Sequence, residues 1–466
     1  MANNITRRSF LKTSSLGAAG LALSPFLRPL VSVAAGSCQT AGNGKIALMI
    51  NCLGGYDGYF KHGVVSGPAQ PIFQSRRPTL YNTADLRVHH GGQSGNIIGV
   101  HKHYDRLLAQ VPANQMRILL NCGITQNYSR SHDEAQTMWS LASTNTTQYD
   151  SGWQGRLIDL CGQDSFQLFG LFGSAGRIDF NTTDISPIVG YNPNSLVTKD
   201  RWGTGFHCHF CAPNSLDPND RWFGPFEDEY HAREVLKKVN QLSNDTSQTA
   251  NAYVRTKDAV ESTVNTIKNE VNIINLAGEY RTQSQIDTNY NGGLDPFQLS
   301  CQFAAKIAKW IASKPDRNSK SHILQIGQGG YDTHSYQPGT LQNLLTIQAA
   351  GLAGFWADIK AAGLQNRVVV FIYSEFGRSV NQNGTPDGSV GSEHGITNHL
   401  MAFGGNVAGG VTGIHSSTND LQNLEYIPPV TSLYDPLGDI VSWLGFDKTL
   451  VFNENLPSNG YVRLFT

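Results

Sequence analysis

The chain has 466 residues, with 35 Lys plus Arg against 36 Asp plus Glu and a formal charge of −1. That balance provides no basic footprint for a nucleic-acid backbone, so nucleic acid is not an expected partner. Hydrophobic residues at 39% and aromatic residues at 10% can fill a sizeable core, which excludes wholesale disorder and suggests two or three structural units or one α/β core with an insertion.

Residues 1–35 read as a twin-arginine export signal outside that core. Arg7 and Arg8, within Thr6-Arg7-Arg8-Ser9-Phe10-Leu11-Lys12, precede an Ala/Leu/Gly-rich stretch, no Asp or Glu occurs before Gly36, and Val33-Ala34-Ala35 supplies small residues for cleavage. Pro25, Arg28 and Pro29 interrupt the apolar run, so no permanent transmembrane helix is expected. The expected location is periplasmic or secreted, with the twin-arginine translocase as partner during export, and lipid anchoring through Cys38 is the alternative. Resemblance to such precursors implies export of a folded chain, often with its metal already loaded. The seven cysteines are an odd number and give no legible disulfide framework. His207-Cys208-His209-Phe210-Cys211 has zinc-knuckle spacing without a second pair, and reads as a local disulfide or a buried thiol.

Lys45 to Leu53 is an apolar run of strand length, ended by Gly54-Gly55-Tyr56-Asp57-Gly58. Val100, Tyr104, Leu107, Leu108 and Val111 recur at helical spacing, and Met116 to Asn121 reads as a second strand. From roughly 166 to 300 the rhythm breaks into an Asn/Asp/Ser/Thr-rich stretch, followed by Val260, Val264, Ile267, Val271 and Ile274 at helix-pair spacing. Phe303, Ile307, Trp310 and Ile311 mark another helix, and His322 to Gly327 a strand that runs into Gly329-Gly330-Tyr331-Asp332-Thr333-His334. Leu341, Leu345, Leu352, Phe355 and Ile359 line a long helix before the buried strand Arg367 to Tyr373. The alternation predicts an α/β fold: a doubly wound, mostly parallel sheet with helices on both faces and an inserted helical or irregular cap. The expected division is 1–35 signal, 36–165 first part of the core, 166–300 insertion or cap, and 301–466 second part of the core.

Ligands collect at the carboxyl ends of strands in such a sheet, and several reactive side chains fall there. Asp57 follows the first strand and Ser129-Arg130-Ser131-His132 the second; Asp332 and His334 follow a third. Ser374-Glu375-Phe376-Gly377-Arg378 ends the most apolar strand, with Gly391-Ser392-Glu393-His394-Gly395 shortly after. Carboxylates and imidazoles are what a divalent metal takes when thiolates are absent. Each residue also has a structural reading: Asp57 as a helix cap, Asp332 as a cap beside an exposed His, Ser131 as the cap of the next helix, and Arg378 as a salt-bridge partner.

Together with Gly152-Trp153-Gln154-Gly155-Arg156, these ordered motifs resemble an exported bacterial family catalogued as a domain of unknown function, number 1501. That family is distantly similar to the alkaline-phosphatase-like phosphatases, sulfatases and phosphomutases. The resemblance runs from about residue 45 to the C-terminus and is weakest over 166–300. It implies metal ligation by Asp57, Asp332, His334, Glu375 and His394, with Ser131, or else Ser129, as nucleophile and Arg130 or Arg378 neutralising oxyanion charge. Phe376 stands where the superfamily has a His, Glu375 replaces an Asp, and His334 follows Asp332 by two residues where relatives often have four. The function implied is an exported hydrolase of phosphate or sulfate esters dependent on a divalent metal (Zn, Mn, Mg or Ca). Its substrate would be an anionic ester or polysaccharide. A non-catalytic envelope or polysaccharide-binding protein on the same scaffold is the alternative.

Overall fold

Buried apolar runs dictate the centre of the molecule. In the computed structural model, which describes residues 44–88, 94–125, 129–143, 152–160, 168–171, 188–192, 195–199, 205–207, 280–287, 295–386, 389–452 and 463–466, every residue of β1 (Ile46–Cys52) is buried. So is every residue of β10 (His322–Gln328) and of β11 (Val368–Tyr373). Each fully buried Val, Ile, Leu or Phe contributes roughly 1.5–3 kcal/mol, and β-branched residues suit the pleated, two-sided environment.

β1 lies between β10 and β11 and is parallel to both, in the register Asn51 with Gly327 and Asn51 with Tyr373. Beyond β11 come β12 (Thr397–Gly404), antiparallel to it, and β5 (Met116–Gly123), antiparallel to β12. β13 (Gly410–Thr412) and β14 (Thr431–Ser432) both pair with β5. On the other side β10 pairs with β6 (Leu168–Leu171), which is followed by β7 (Ile188–Asn192), β8 (Ser195–Lys199) and β9 (Gly205–His207). A separate small sheet has the order β2 (Val64–Ser66), β4 (Ile97–His101), β3 (Leu86–Val88).

Helices cover both faces, and opposite parities along β10 show it. Gln325 accepts a hydrogen bond at 2.8 Å from Gln154 of the helix Trp153–Leu160. Gln328, of the other parity, donates at 3.1 Å to the Leu344 carbonyl in the helix Gln337–Ala361. The architecture is therefore the mostly parallel α/β sheet that the alternation predicts.

Two expectations differ in detail. Val100 lies in β4, and helical structure is confined to the short turns Lys102–Tyr104 and Asp105–Leu108, because Ile98 and Val100 pair into the small sheet. The stretch expected as a cap contributes β6 to β9, which extend the main sheet. The expected helix pair around Val260 to Ile274, the signal, and the Cys208/Cys211 cluster lie outside the described residues. Among the described residues Cys52, Cys122 and Cys301 are buried free thiols, and no helix is long and apolar enough to cross a membrane.

Candidate metal centre

Loops from the carboxyl ends of β1, β10 and β11 and from the start of β12 meet at one edge of the sheet. The two Gly-Gly-Tyr-Asp turns touch there. Gly54 has φ +112°, and a Cβ on it would sit 2.4 Å from the Asp332 nitrogen, so only glycine lets the turns close. Arg378, 2% exposed, straps them together. Its Nε donates to the Gly55 carbonyl at 2.8 Å, Nη1 to the Ser392 carbonyl at 3.1 Å, and Nη2 to the carbonyls of Gly54 (2.6 Å) and Tyr331 (2.7 Å) and to Asp332 Oδ1 (2.7 Å).

Three imidazoles converge on Asp332. Its Oδ1 lies 3.0 Å from His334 Nε2 and 3.1 Å from His394 Nε2, and its Oδ2 lies 3.5 Å from His132 Nε2. Ligand atoms of His132, Asp332 and His394 all fall within 4.8 Å of one another, and His334 Nε2 is 3.0 Å from His394 Nε2. The far nitrogen of every ring is held by an oxygen. His132 Nδ1 donates to Glu375 Oε1 at 2.9 Å, His334 Nδ1 to Glu393 Oε2 at 3.0 Å, and His394 Nδ1 to the Arg130 carbonyl at 3.0 Å. With Nδ1 carrying the proton, a ring in its neutral form turns an Nε2 lone pair inward.

Facing lone pairs 3.0 Å apart repel unless a proton or cation lies between them. Zn–N bonds of 2.0–2.1 Å imply a tetrahedral edge of roughly 3.3–3.4 Å, and the His334 and His394 Nε2 atoms lie 3.0 Å from each other and 3.0 and 3.1 Å from Asp332 Oδ1. His132 Nε2 is also buried without a hydrogen-bond partner. Three imidazole nitrogens and a carboxylate, with oxygen acceptors behind the rings, fit a divalent ion.

Burial would raise the Asp332 pKa, but the Arg378 guanidinium and the adjoining His394 ring outweigh it and hold the carboxyl at about 2. Burial likewise opposes ionisation of Glu375, yet the bonds from His132, Gln136 and the Gly54 amide keep it below the usual carboxylate range. The hydrogen bond to Glu375 raises His132 more than partial burial lowers it.

The structure thus brings Asp332, His334 and His394 together, with Arg378 and Glu375 one layer behind them. Glu375 is buried and its oxygens are taken by His132, Gly54 N, Gln136 and Ser374. Asp57 lies outside the group. It caps the helix Gly58–Lys61, accepting from Tyr59 N and Phe60 N, and pairs with buried Arg77 at 2.5 Å. Phe376 packs its ring 4.9 Å from that of His132 and 4.7 Å from that of His394.

Ser131 is the N-cap residue of the helix His132–Leu141 and is exposed, its hydroxyl making no cap hydrogen bond. Ser129 is engaged: its hydroxyl donates to Glu134 and accepts from Ser131 N. Between them Arg130 takes a left-handed φ of +61°, which costs of order 1–3 kcal/mol in a non-glycine residue. That turn aims its carbonyl at His394, while its guanidinium lies 3.7 Å over the Tyr426 ring. The sequence points to Ser129, Arg130 and Ser131 in this stretch and not to His132. Its place just inside a helix start, behind a strand end, was the available signal.

Residues 225–455 match the model of a family described as "Protein of unknown function (DUF1501)". The Gly54-Gly55-Tyr56-Asp57 and Ser129-Arg130-Ser131-His132 motifs lie before that stretch. No curated protein matches the chain. Among solved structures, one titled "Crystal structure of Ps i-CgsB in complex with k-i-k-neocarrahexaose" is similar at 9% identity over 87% of this chain and 72% of that one, with a TM-score of 0.35. The lipoteichoic acid synthase LtaP from Listeria monocytogenes is similar at 9% identity over 94% and 80%, with a TM-score of 0.33. The PsFucS1 sulfatase from Pseudoalteromonas sp. is similar at 11% identity over 94% and 77%, with a TM-score of 0.34. The fold stated above rests on this chain's own strand order.

Proposed function

We propose that this chain, whose residues 225–455 match the DUF1501 family model, is an exported metal-dependent hydrolase of phosphate or sulfate esters. One observation carries the reading: three Nε2 atoms and the Asp332 carboxylate converge, each ring fixed from behind by an oxygen. Three nitrogens and one carboxylate favour Zn²⁺ or Mn²⁺ over Mg²⁺ or Ca²⁺, which prefer all-oxygen shells. A divalent ion there supplies Lewis-acid polarisation of an ester oxygen and lowers the pKa of a bound hydroxyl.

The chain's own residues supply the rest. His132, Asp332, His334 and His394 form the ligand set, while Glu375, Glu393 and the Arg130 carbonyl orient its rings. Arg378 fixes Asp332 and spends its donors on protein oxygens, which leaves Arg130 as the cation to meet an anionic ester or an anionic polysaccharide. Ser131, next to His132 at a helix N-terminus, offers the uncommitted hydroxyl. Export by the twin-arginine translocase to the periplasm or beyond belongs to the same proposal and rests on Arg7 and Arg8.

Chelation should abolish turnover of an aryl phosphate or aryl sulfate and metal add-back should restore it. Ser131→Ala should lower kcat at least a hundredfold with metal content unchanged. Absence of stoichiometric metal from exported protein would overturn the reading. Asp57 committed to Arg77 and Phe376 filling the neighbouring space leave a single ion's ligands, which is what favours the alternative of a metal-stabilised polysaccharide-binding protein. Metal-loaded protein that retains a polysaccharide and turns over no ester would select it.

A further inference from the structure

We infer that Asp57 and Gln337 are positioning residues that set the metal affinity of the centre through the loop carrying His394, without touching the ion. The inference rests on the proposed metal reading and assigns to the first Gly-Gly-Tyr-Asp motif a role that the centre itself does not use. Asp57 is 1% exposed and Gln337 and Ser392 are fully buried. Gln337 Nε2 donates to Asp57 Oδ2 at 2.6 Å, and Ser392 Oγ donates to Gln337 Oε1 at 2.6 Å. The chain of bonds therefore runs from the end of β1, through the first residue of the helix Gln337–Ala361, to the residue two before His394.

The same helix start grips the loop a second time, since Gln337 N donates to the Val390 carbonyl at 2.9 Å. Opposite it, Gly391 lies against His334: a Cβ there would sit 2.2 Å from the His334 carbonyl carbon and oxygen. The loop with His394 is thus clamped between Gln337 and the loop with His334, and the spacing of the two rings follows from that clamp. Arg77 anchors the far end. Its Nη1 pairs with Asp57 at 2.5 Å, its Nε donates to the Val380 carbonyl at 2.9 Å, and its Nη2 donates to the Ser379 carbonyl. Because the amide of Gln337 has one acceptor and one donor end, an acid at 57 and a hydroxyl at 392 orient it uniquely. Partners behind a ligand typically govern metal affinity by ten- to a hundredfold when lost.

The test measures metal, not turnover. Zn²⁺ affinity is read by competition with a chromophoric chelator, and ligand geometry by the visible d–d spectrum of Co²⁺-loaded protein, for wild type, Gln337→Ala, Ser392→Ala and the double variant. Gln337→Ala and Ser392→Ala should each weaken Zn²⁺ binding about tenfold and shift the Co²⁺ bands, and the double variant should be no weaker than the worse single one. Gln337→Glu, which keeps the acceptor for Ser392 but sets a second acid against Asp57, should fall with the alanine variant, whereas Ser392→Thr should restore wild-type affinity. Thermal unfolding of the metal-free proteins identifies any variant that merely fails to fold, and the near-isosteric Gln337→Glu, set against Ser392→Thr, then carries the comparison. Unchanged Zn²⁺ affinity and Co²⁺ spectrum in folded Gln337→Ala would overturn the inference. Asp57→Asn effects that add in full to those of Gln337→Ala would do so as well, since residues acting along one chain of bonds do not add. Wild-type protein that binds no Zn²⁺ would instead sink the metal reading, a distinct outcome.

Discussion

Replacing Glu375 by Gln probes the layer behind the ligands with little change in shape. The carboxylate is buried, and its Oε1 collects His132 Nδ1 at 2.9 Å, Gly54 N at 2.8 Å and Gln136 Nε2 at 3.1 Å. Glutamine keeps an acceptor for one side but removes the charge that fixes the His132 tautomer and strengthens its inward lone pair. The expected loss in Zn²⁺ affinity is ten- to a hundredfold, or about 1.4–2.7 kcal/mol. The same loss should appear in unfolding. With free Zn²⁺ at a thousand times the wild-type Kd, binding stabilises wild type by about 4.1 kcal/mol, and a thirtyfold weaker site retains about 2 kcal/mol at that concentration. Denaturant titrations with and without Zn²⁺, on wild type, Glu375→Gln and His132→Ala, measure both quantities. Equal Zn²⁺-induced stabilisation of wild type and Glu375→Gln, alongside its loss in His132→Ala, would refute the argument that Glu375 acts through the ring.

Two further outcomes concern the protein without metal. Arg378→Lys removes a fork that three nitrogens use to join both Gly-Gly-Tyr-Asp turns, and should cost about 3–5 kcal/mol in urea unfolding; a loss under about 1 kcal/mol would show that the turns close without it. Acid should weaken the fold through buried neutral imidazoles. Burial, then the charge of His415, then Arg77, bring His399 to about 3, and burial followed by His103 brings His101 to about 4. Unfolded histidine titrates near 6.5, so this stability is complete above that pH and is lost as pH falls toward the folded values, at about 1.4 kcal/mol per unit for each ring. Denaturant midpoints in the presence of chelator should decline from pH 6.5 to pH 4.5, and a level midpoint across that range contradicts the assignment.

The parts of the molecule legible in the sequence are those where one physical demand dominates. Val368 to Tyr373 and Ile46 to Cys52 are buried on both faces, so their apolar runs announce strands within a residue of their bounds. β12 was hidden because Thr397, Asn398 and His399 begin it, and these polar residues are buried by specific bonds: Asn398 Nδ2, for instance, donates to the Tyr56 and Phe376 carbonyls. The centre was legible as a set of strand-end acids and histidines, but not in its layering. Asp57 and Asp332 occupy identical tetrapeptides, yet the first caps a helix and is held by Arg77 and Gln337, while Arg378 and three imidazoles meet the second. Those partners come from remote parts of the chain, and no local pattern encodes them.

Strand order also dictates when this chain can fold. β1 needs residues 322–328 and 368–373 at its flanks, and β5 reaches the sheet only through residues 397–404. An emerging polypeptide therefore holds β1 without a neighbour until residue 328 has been made, and β5 until residue 404. Loop closure across such separations is slow, so a truncation before β12 should yield aggregates in place of a smaller stable domain.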